Sequence, residues 1–317
     1  MSSSALTKIF MAATLGLALA GTALASESPD PTEHQKTVQQ ICNSPAPFLQ
    51  LDHFYLKKPD YGIQALDAAV DIDGDLIPDI GHGDMVEKIA SFSGKKVITY
   101  GISQSHLDMT ANMIADQFFD IAQKIENGEI EKPAAIIFSI SFPFSFKAIY
   151  QLLGTDLHLT PENILDKQNE IIEKIIETHE KNPNQYTQMV SKIHKAITIL
   201  KAMKVPVITG AGNDSSPNHV NMAALLGAIP VGALSHDGKK KLSISNINNL
   251  TSVYKVGEVF SRRVANDDID INNDEKADFP SRILSNKRMI IDIFYNNQTT
   301  FPLNQGTSLA APAICNR

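Results

Sequence analysis

Tryptophan is absent from the 317 residues and aromatic side chains make up only 7%, so a surface of stacked rings for single-stranded nucleic acid has little to be built from. An excess of positive charge is missing too. Lys and Arg number 28 against 35 Asp and Glu, a formal net charge of −7, and a polyanion is repelled by such a surface. Two cysteines are too few for a disulfide scaffold, and no Cys/His cluster has zinc-ligand spacing. After the first 25 residues no run is long and apolar enough to cross a bilayer. What is present, 43% hydrophobic and 20% charged residues, suffices for a sizeable core. The length suits one large α/β domain or two small ones.

The opening stretch stands apart. Lys8 precedes Ile9 to Ala25, a run apolar but for Thr and Gly, which exits through Ala23-Leu24-Ala25 into Ser26-Glu27-Ser28. That is the layout of a secretory signal peptide over residues 1–25, cleaved after Ala25, against the alternative of an uncleaved anchor. The mature chain is then expected outside the cytoplasm, secreted or periplasmic, with no stable membrane insertion. In that compartment Cys42 and Cys315 are open either to pairing, which ties the two ends of the mature chain together, or to remaining free thiols.

Residues 26–55, rich in Ser, Pro, Glu and Gln, read as an extended lead-in with at most a short helix. Beyond them the apolar runs alternate in kind. Ile63 to Val70 predicts a strand, Met85 to Ala90 a short helix and Lys96 to Gly101 a second strand. Met109 to Glu126 repeats apolar residues every three or four positions, an amphipathic helix closed by Asn127-Gly128. Ala134 to Phe142 predicts a buried strand. Residues 152–188 carry a stripe of Ile171, Ile172, Ile175 and Ile176 and predict an inserted helical hairpin. Met189 to Met203 predicts another helix, Pro206 to Gly210 a strand, and Ala223 to Leu234 a further strand after a turn. This alternation implies an α/β fold with a mostly parallel central sheet flanked by helices.

Three segments carry candidate chemistry. Gly306-Thr307-Ser308-Leu309-Ala310-Ala311-Pro312 is a glycine-led turn into helix-tolerant residues that can present a serine hydroxyl, although taken alone it is equally an N-cap. Gly81-His82-Gly83 stands at the mouth of a predicted helix. Ala211-Gly212-Asn213 follows a buried strand, so the Asn213 amide projects from the carboxyl edge, where open α/β sheets form their sites.

In this order, after an Asp-bearing strand, GHG, AGN and GTSLAAP resemble the subtilisin-like serine proteases over roughly residues 60 to 317. The resemblance implies a three-layer peptidase domain over residues 56–317. It makes Ser308 the nucleophile, His82 the general base and then acid, and Asn213 an oxyanion-hole donor beside the Ser308 N–H. The chemistry agrees: a hydroxyl needs a base to take its proton, imidazole can accept and return one near neutral pH, and a neutral amide can stabilise an oxyanion. Aligning Ile63 to Asp71 with the family's first strand places Asp67 as the carboxylate that orients the imidazole, with Asp71 the competing choice. The implied activity is an exported serine endopeptidase acting on protein or peptide and needing no organic cofactor. The alternative is a silent relative that binds peptides or partner proteins.

Departures from the family pattern motivate that alternative. Asp84-Met85 follows His82-Gly83 where Thr-His is usual, bringing an extra carboxylate near the ring. Ile137 to Phe144 (IFSISFPF) takes the place of the family's substrate-pairing segment, with Pro143 and Phe144 in place of its glycines, and proline has no N–H to donate to a paired peptide. Nine residues follow Ser308, whereas relatives continue through a long buried helix. Separately, Asp71, Asp73, Asp75 and Asp79 stand at the spacing of a calcium loop, repeated in Asp270, Asn272, Asp274 and Asp278. Both copies lack the loop glycine and the closing Glu of an EF-hand, which leaves calcium and solvent-facing acidic turns as the two readings. His106, His158, His179, His194, His219 and His236 are scattered without ligand spacing.

Overall fold

The computed structural model describes residues 31–52, 69–70, 80–102, 111–154, 157–263, 269–272, 274–276, 278 and 300–316. The signal peptide expected over residues 1–25 and most of the strand expected over Ile63 to Val70 lie outside them.

The chain enters through α1 (Pro31–Asn43), with proline at the first helical position, where its missing N–H leaves no bond unmade. It then forms β1 (Phe48–Asp52). The lead-in expected to be extended over residues 26–55 therefore supplies a helix and an inner strand of the main sheet. After β2 (Ala69–Val70) and β3 (Ile80–Gly81), paired antiparallel, come α2 (His82–Ser91), β4 (Val97–Gly101), α3 (Ala111–Glu126) and β5 (Ala135–Ile137). The predicted helix closure at Gly128 takes φ of +75°, a left-handed position suited to glycine.

β5 is shorter than the strand expected over Ala134 to Phe142. The chain leaves the sheet, and Pro143–Ser145 (β6) pairs antiparallel with His219–Asn221 (β8). Three consecutive helices follow, α4 (Phe146–Leu153), α5 (Gln168–Lys181) and α6 (Gln185–Ala202); α4 precedes the hairpin expected over residues 152–188, and α6 runs from its end through the helix expected over Met189 to Met203. Asn184 and Thr187 form a reciprocal capping box at the start of α6. β7 (Val207–Gly210), α7 (Met222–Leu225), β9 (Ile229–Leu234) and β10 (Val253–Val256) complete the core elements. β11 (Glu258–Arg263), β12 (Ile269–Asp270) and β13 (Thr300–Gln305) form a small antiparallel sheet. It delivers the chain to α8 (Thr307–Ala310) and a closing 3₁₀ turn, Pro312–Cys315.

The main sheet has six strands in the order β10-β9-β7-β5-β1-β4, and every pairing is parallel. The chain steps from β1 outward to β4 on one side and then to β5 on the other, which places a topological switch point at the carboxyl end of β1. Side chains divide by strand alternation. Leu49, Leu51, Ile136 and Val207 face a layer containing Phe118 of α3, Ile149 of α4, Ile171 of α5 and Ile193 of α6. Phe48, Ala135, Ile137, Ile208 and Val231 face the opposite layer, with Ile41 of α1, Met85 and Ile89 of α2, and Leu309 and Ala310 of α8. The Phe118 and Phe138 rings stack at 4.5 Å on the first face.

Cys42 and Cys315 are joined by a disulfide, with their Cα atoms 5.3 Å apart, so the thiols are paired. Ala311, Ala313 and Ile314 are buried around it. Asn316 Nδ2 donates to the Ile89 carbonyl of α2, and Lys255 Nζ donates to the Asn316 carbonyl. The segment after Ser308 is thus fastened at several points. Replacing both cysteines by serine should lower stability by about 2–5 kcal/mol, because the bridge closes a long loop in the unfolded chain. Chemical denaturation of oxidised wild type and the double variant checks this; coincident curves would deny the bridge any stabilising role.

Candidate active site

The period-two geometry of β1 decides where its polar residues point. Gln50 and Asp52 share the face of Phe48, which is the face that carries α2. Both are fully buried, and a buried polar group needs partners. Gln50 Nε2 donates to the Gly83 carbonyl at 2.9 Å, fastening the first turn of α2 to the strand. Asp52, the last residue of β1, accepts from the Nδ1–H of His82, the first residue of α2, with its two oxygens at 2.9 and 3.0 Å.

The carboxylate against the His82 ring is therefore Asp52, whereas the family pattern puts the orienting carboxylate at Asp67. Asp67 and Asp71 lie outside the described residues. Asp52 falls within residues 26–55, where the composition predicts an extended lead-in rather than a strand of the sheet. The signal that could have found it is local: Ala46 to Leu51 is apolar at all but one position and ends in Asp, as a buried strand ends at a carboxyl edge.

A carboxylate only accepts hydrogen bonds, so the contact fixes the proton of neutral His82 on Nδ1 and leaves Nε2 as an acceptor. Burial opposes a charge on the ring, but the charge of Asp52 and its hydrogen bond together outweigh that, and the His82 pKa is held above its ordinary value. Asp84, expected to contribute to this effect, is buried in the first turn of α2, and the attraction that raises the value comes from Asp52. Met85 is fully buried in the core beneath the helix.

Ser308 is the second residue of α8, which packs against α2 and against the ends of β7 and β9. Gly210 ends β7, and a Cβ there would come 2.6 Å from Thr307 Oγ1 and 2.9 Å from the Thr307 carbonyl carbon. Only glycine lets the turn before Ser308 sit this close to the sheet. Thr307 then joins the two loops. Its N–H and Oγ1–H both donate to Asn213 Oδ1, at 2.8 and 2.9 Å, and Gly212 N–H donates to Thr307 Oγ1 at 3.1 Å.

These bonds occupy the acceptor end of the Asn213 amide and turn its donor end outward. Neither Asn213 Nδ2 nor the Ser308 N–H has an acceptor among the described residues. A Cβ at Gly306 would lie 3.2 Å from Ser308 Oγ and 3.3 Å from Asn213 Nδ2, so hydroxyl and amide reach the same small volume. Ser308 Oγ is not hydrogen-bonded to His82. Contacts of this kind often tighten only when substrate arrives.

The segment after β5 is held by Asn221, which is fully buried. Its Nδ2 donates to Thr209 Oγ1 and the Gly210 carbonyl, both at 2.9 Å, while its Oδ1 accepts from Phe142 N–H. Pro143 is engaged with β8 beyond this point.

The loop Asp71, Asp73, Asp75 and Asp79 lies outside the described residues. In the second acidic loop the side chains serve the backbone: Asp270 accepts from Asn272 and Glu275 N–H, Asn272 from Asp274 N–H, and Asp278 from Ile271 N–H. Asp278 also pairs with Lys88 of α2 at 3.2 Å. Among the described residues no three His, Cys, Asp or Glu side chains are grouped to hold a metal ion.

No known family model matches the sequence, and no curated protein does. Solved structures similar to it include a lanthipeptide protease, at 16% identity over 91% of this chain and 76% of that one, TM-score 0.43. Another is the epidermin leader peptide processing serine protease of Staphylococcus aureus, at 13% identity over 89% and 66%, TM-score 0.43. A cold-adapted subtilisin-like serine proteinase aligns at 11% identity over 85% and 72%, TM-score 0.37.

The histidine makes a prediction independent of any reaction. In an NMR titration His82 should protonate above the ordinary value of about 6.5, and Asp52→Asn should bring it down. With the folded-state pKa raised, the pairing contributes fully to stability below about pH 6.5 and its contribution is lost as pH rises through the folded value. A His82 titration unmoved by Asp52→Asn would show that Asp52 does not set it.

Proposed function

We propose that this protein is a serine endopeptidase of the subtilisin-like kind, working through Ser308, His82 and Asp52. The observation that carries the proposal is the hydrogen bond from His82, at the start of a helix packed against the one that presents Ser308, to the buried Asp52 carboxylate. In the reaction His82 Nε2 takes the Ser308 proton as Oγ attacks the scissile carbonyl, and the resulting imidazolium is stabilised by Asp52. The oxyanion of the tetrahedral intermediate accepts from Asn213 Nδ2 and the Ser308 N–H. Collapse of the intermediate passes the proton from His82 to the leaving amine and leaves an acyl-enzyme on Ser308. Water, deprotonated by the same histidine, then releases the acid.

The substrate class is protein or peptide. Export is supported by the leader-like first 25 residues together with the Cys42–Cys315 bridge. Within the described residues no helix is long and apolar enough to cross a membrane. The mechanism uses no organic cofactor. Calcium at residues 71–79 is a separate proposal resting on spacing, and an unchanged melting temperature in a chelator would count against it.

A serine-reactive fluorophosphonate should label the mature protein, with labelling lost in Ser308→Ala and His82→Ala. Asp52→Asn should lower turnover by about 10⁴-fold and Asn213→Ala by about 10²- to 10³-fold. A folded chain that takes no label would instead be the peptide-binding relative. Full activity in Asp52→Asn would return the orienting role to another carboxylate.

A further inference from the structure

Asn213 is exposed, yet its amide has to be held still to serve as an oxyanion donor, because such donors act by being fixed in place before charge develops. Thr307 holds one side of it. The loop itself needs another support, since Gly212 takes φ of +109°, a conformation that confers no rigidity of its own on a glycine.

The support comes from the segment between β9 and β10. Asn246 is fully buried and grips the loop on both sides of Asn213. Its backbone N–H donates to the Gly212 carbonyl at 3.0 Å. Its side-chain Oδ1 accepts from Asp214 N–H at 3.0 Å, and its Nδ2 donates to Asp214 Oδ2 at 2.7 Å. A Cβ at residue 212 would lie 2.3 Å from Asn246 Nδ2, so the glycine is also what allows the amide to come so close. Three hydrogen bonds from one buried residue thus bracket the residue between them.

We infer that Asn246, acting with Asp214, is a positioning residue that fixes the Asn213 amide for the oxyanion. This rests on the peptidase reading, under which Asn213 is the donor. Asn246 touches no reacting atom. Its effect is on where Asn213 Nδ2 sits, so its loss lowers turnover far more than substrate binding. The amide is suited to the task because it donates and accepts at once: one end satisfies a backbone N–H, the other a carboxylate. Aspartate in its place would set two carboxylates against each other.

The test is steady-state kinetics on a fluorogenic peptide library, together with NMR of asparagine-labelled protein in which the Asn213 side-chain signals are identified by their absence in Asn213→Asp. Asn246→Ala should lower kcat by about 10- to 100-fold, a fraction of the loss of the donor itself, with KM within about twofold. Asp214→Ala, at a partly exposed position that leaves the core intact, should lower kcat by a smaller factor in the same pattern. Asn246→Asp should be impaired, and Asp214→Asn/Asn246→Asp, which reverses donor and acceptor across the same bond, should recover part of the loss. The Asn213 side-chain signals should shift in Asn246→Ala and in Asp214→Ala.

Wild-type kcat in both single variants, or a reversed pair no better than Asn246→Asp, would overturn the inference. Unmoved Asn213 signals in either folded variant would do the same. An inactive wild type whose Asn213 signals still respond would leave the bracket in place and remove the peptidase reading instead.

Discussion

The rest of the site depends on a carboxylate placed where water cannot reach it. Asp52 is fully buried, and an ionised carboxylate is tolerated there only if it is paired and hydrogen-bonded. His82 supplies that partner with both Asp52 oxygens in range. The pairing fixes the ring's orientation and its tautomer, and ties the start of α2 to the end of β1. Gln50, two residues earlier on the same face, repeats the connection through the Gly83 carbonyl. Strand alternation thus aims two consecutive same-face polar residues of β1 at one helix turn.

The opposite wall of the site is assembled by backbone proximity. Gly210 admits Thr307, Thr307 binds Asn213 and Gly212, and Asn221 ties the end of β7 to the segment following β5. These residues gather at the carboxyl end of β7, the edge of a parallel sheet on which such folds form their sites. α8 is short, only Thr307–Ala310, but it is braced from several directions. Leu309 and Ala310 are buried against the sheet, and beyond them the chain is bridged to α1 at Cys42 and bonded to α2 through Asn316. The helix carrying His82 and the segment carrying Ser308 are consequently fastened to each other.

Much of this was legible in the sequence wherever pattern and local chemistry coincide. The three- and four-residue periodicity of α3 and the apolar strand before Gly210 were readable because one buried face dictates them. GHG, AGN and GTS were readable because close approach and turn geometry restrict those positions to few residue types. Asp52 was not, because the short strand that it ends interrupts its own apolar run with Gln50. The assignment of Asp67 followed from matching a later apolar stretch to a family pattern. Asn221 and Asn246 were equally silent, since a buried asparagine has no periodic signature, and its role appears only when distant loops meet in space. The early end of β5 was hidden for a related reason, as Phe138, just past β5, is still buried and its N–H still donates to the Ile208 carbonyl of β7.

A crystal structure of the mature protein after reaction with a peptidyl phosphonate would test the central claim most directly. The account predicts phosphorus bonded to Ser308 Oγ and its free oxygen about 2.7–3.1 Å from both Asn213 Nδ2 and the Ser308 nitrogen, with His82 still held by Asp52. An adduct on another residue, or one on Ser308 whose oxygen faces solvent away from Asn213, would contradict it.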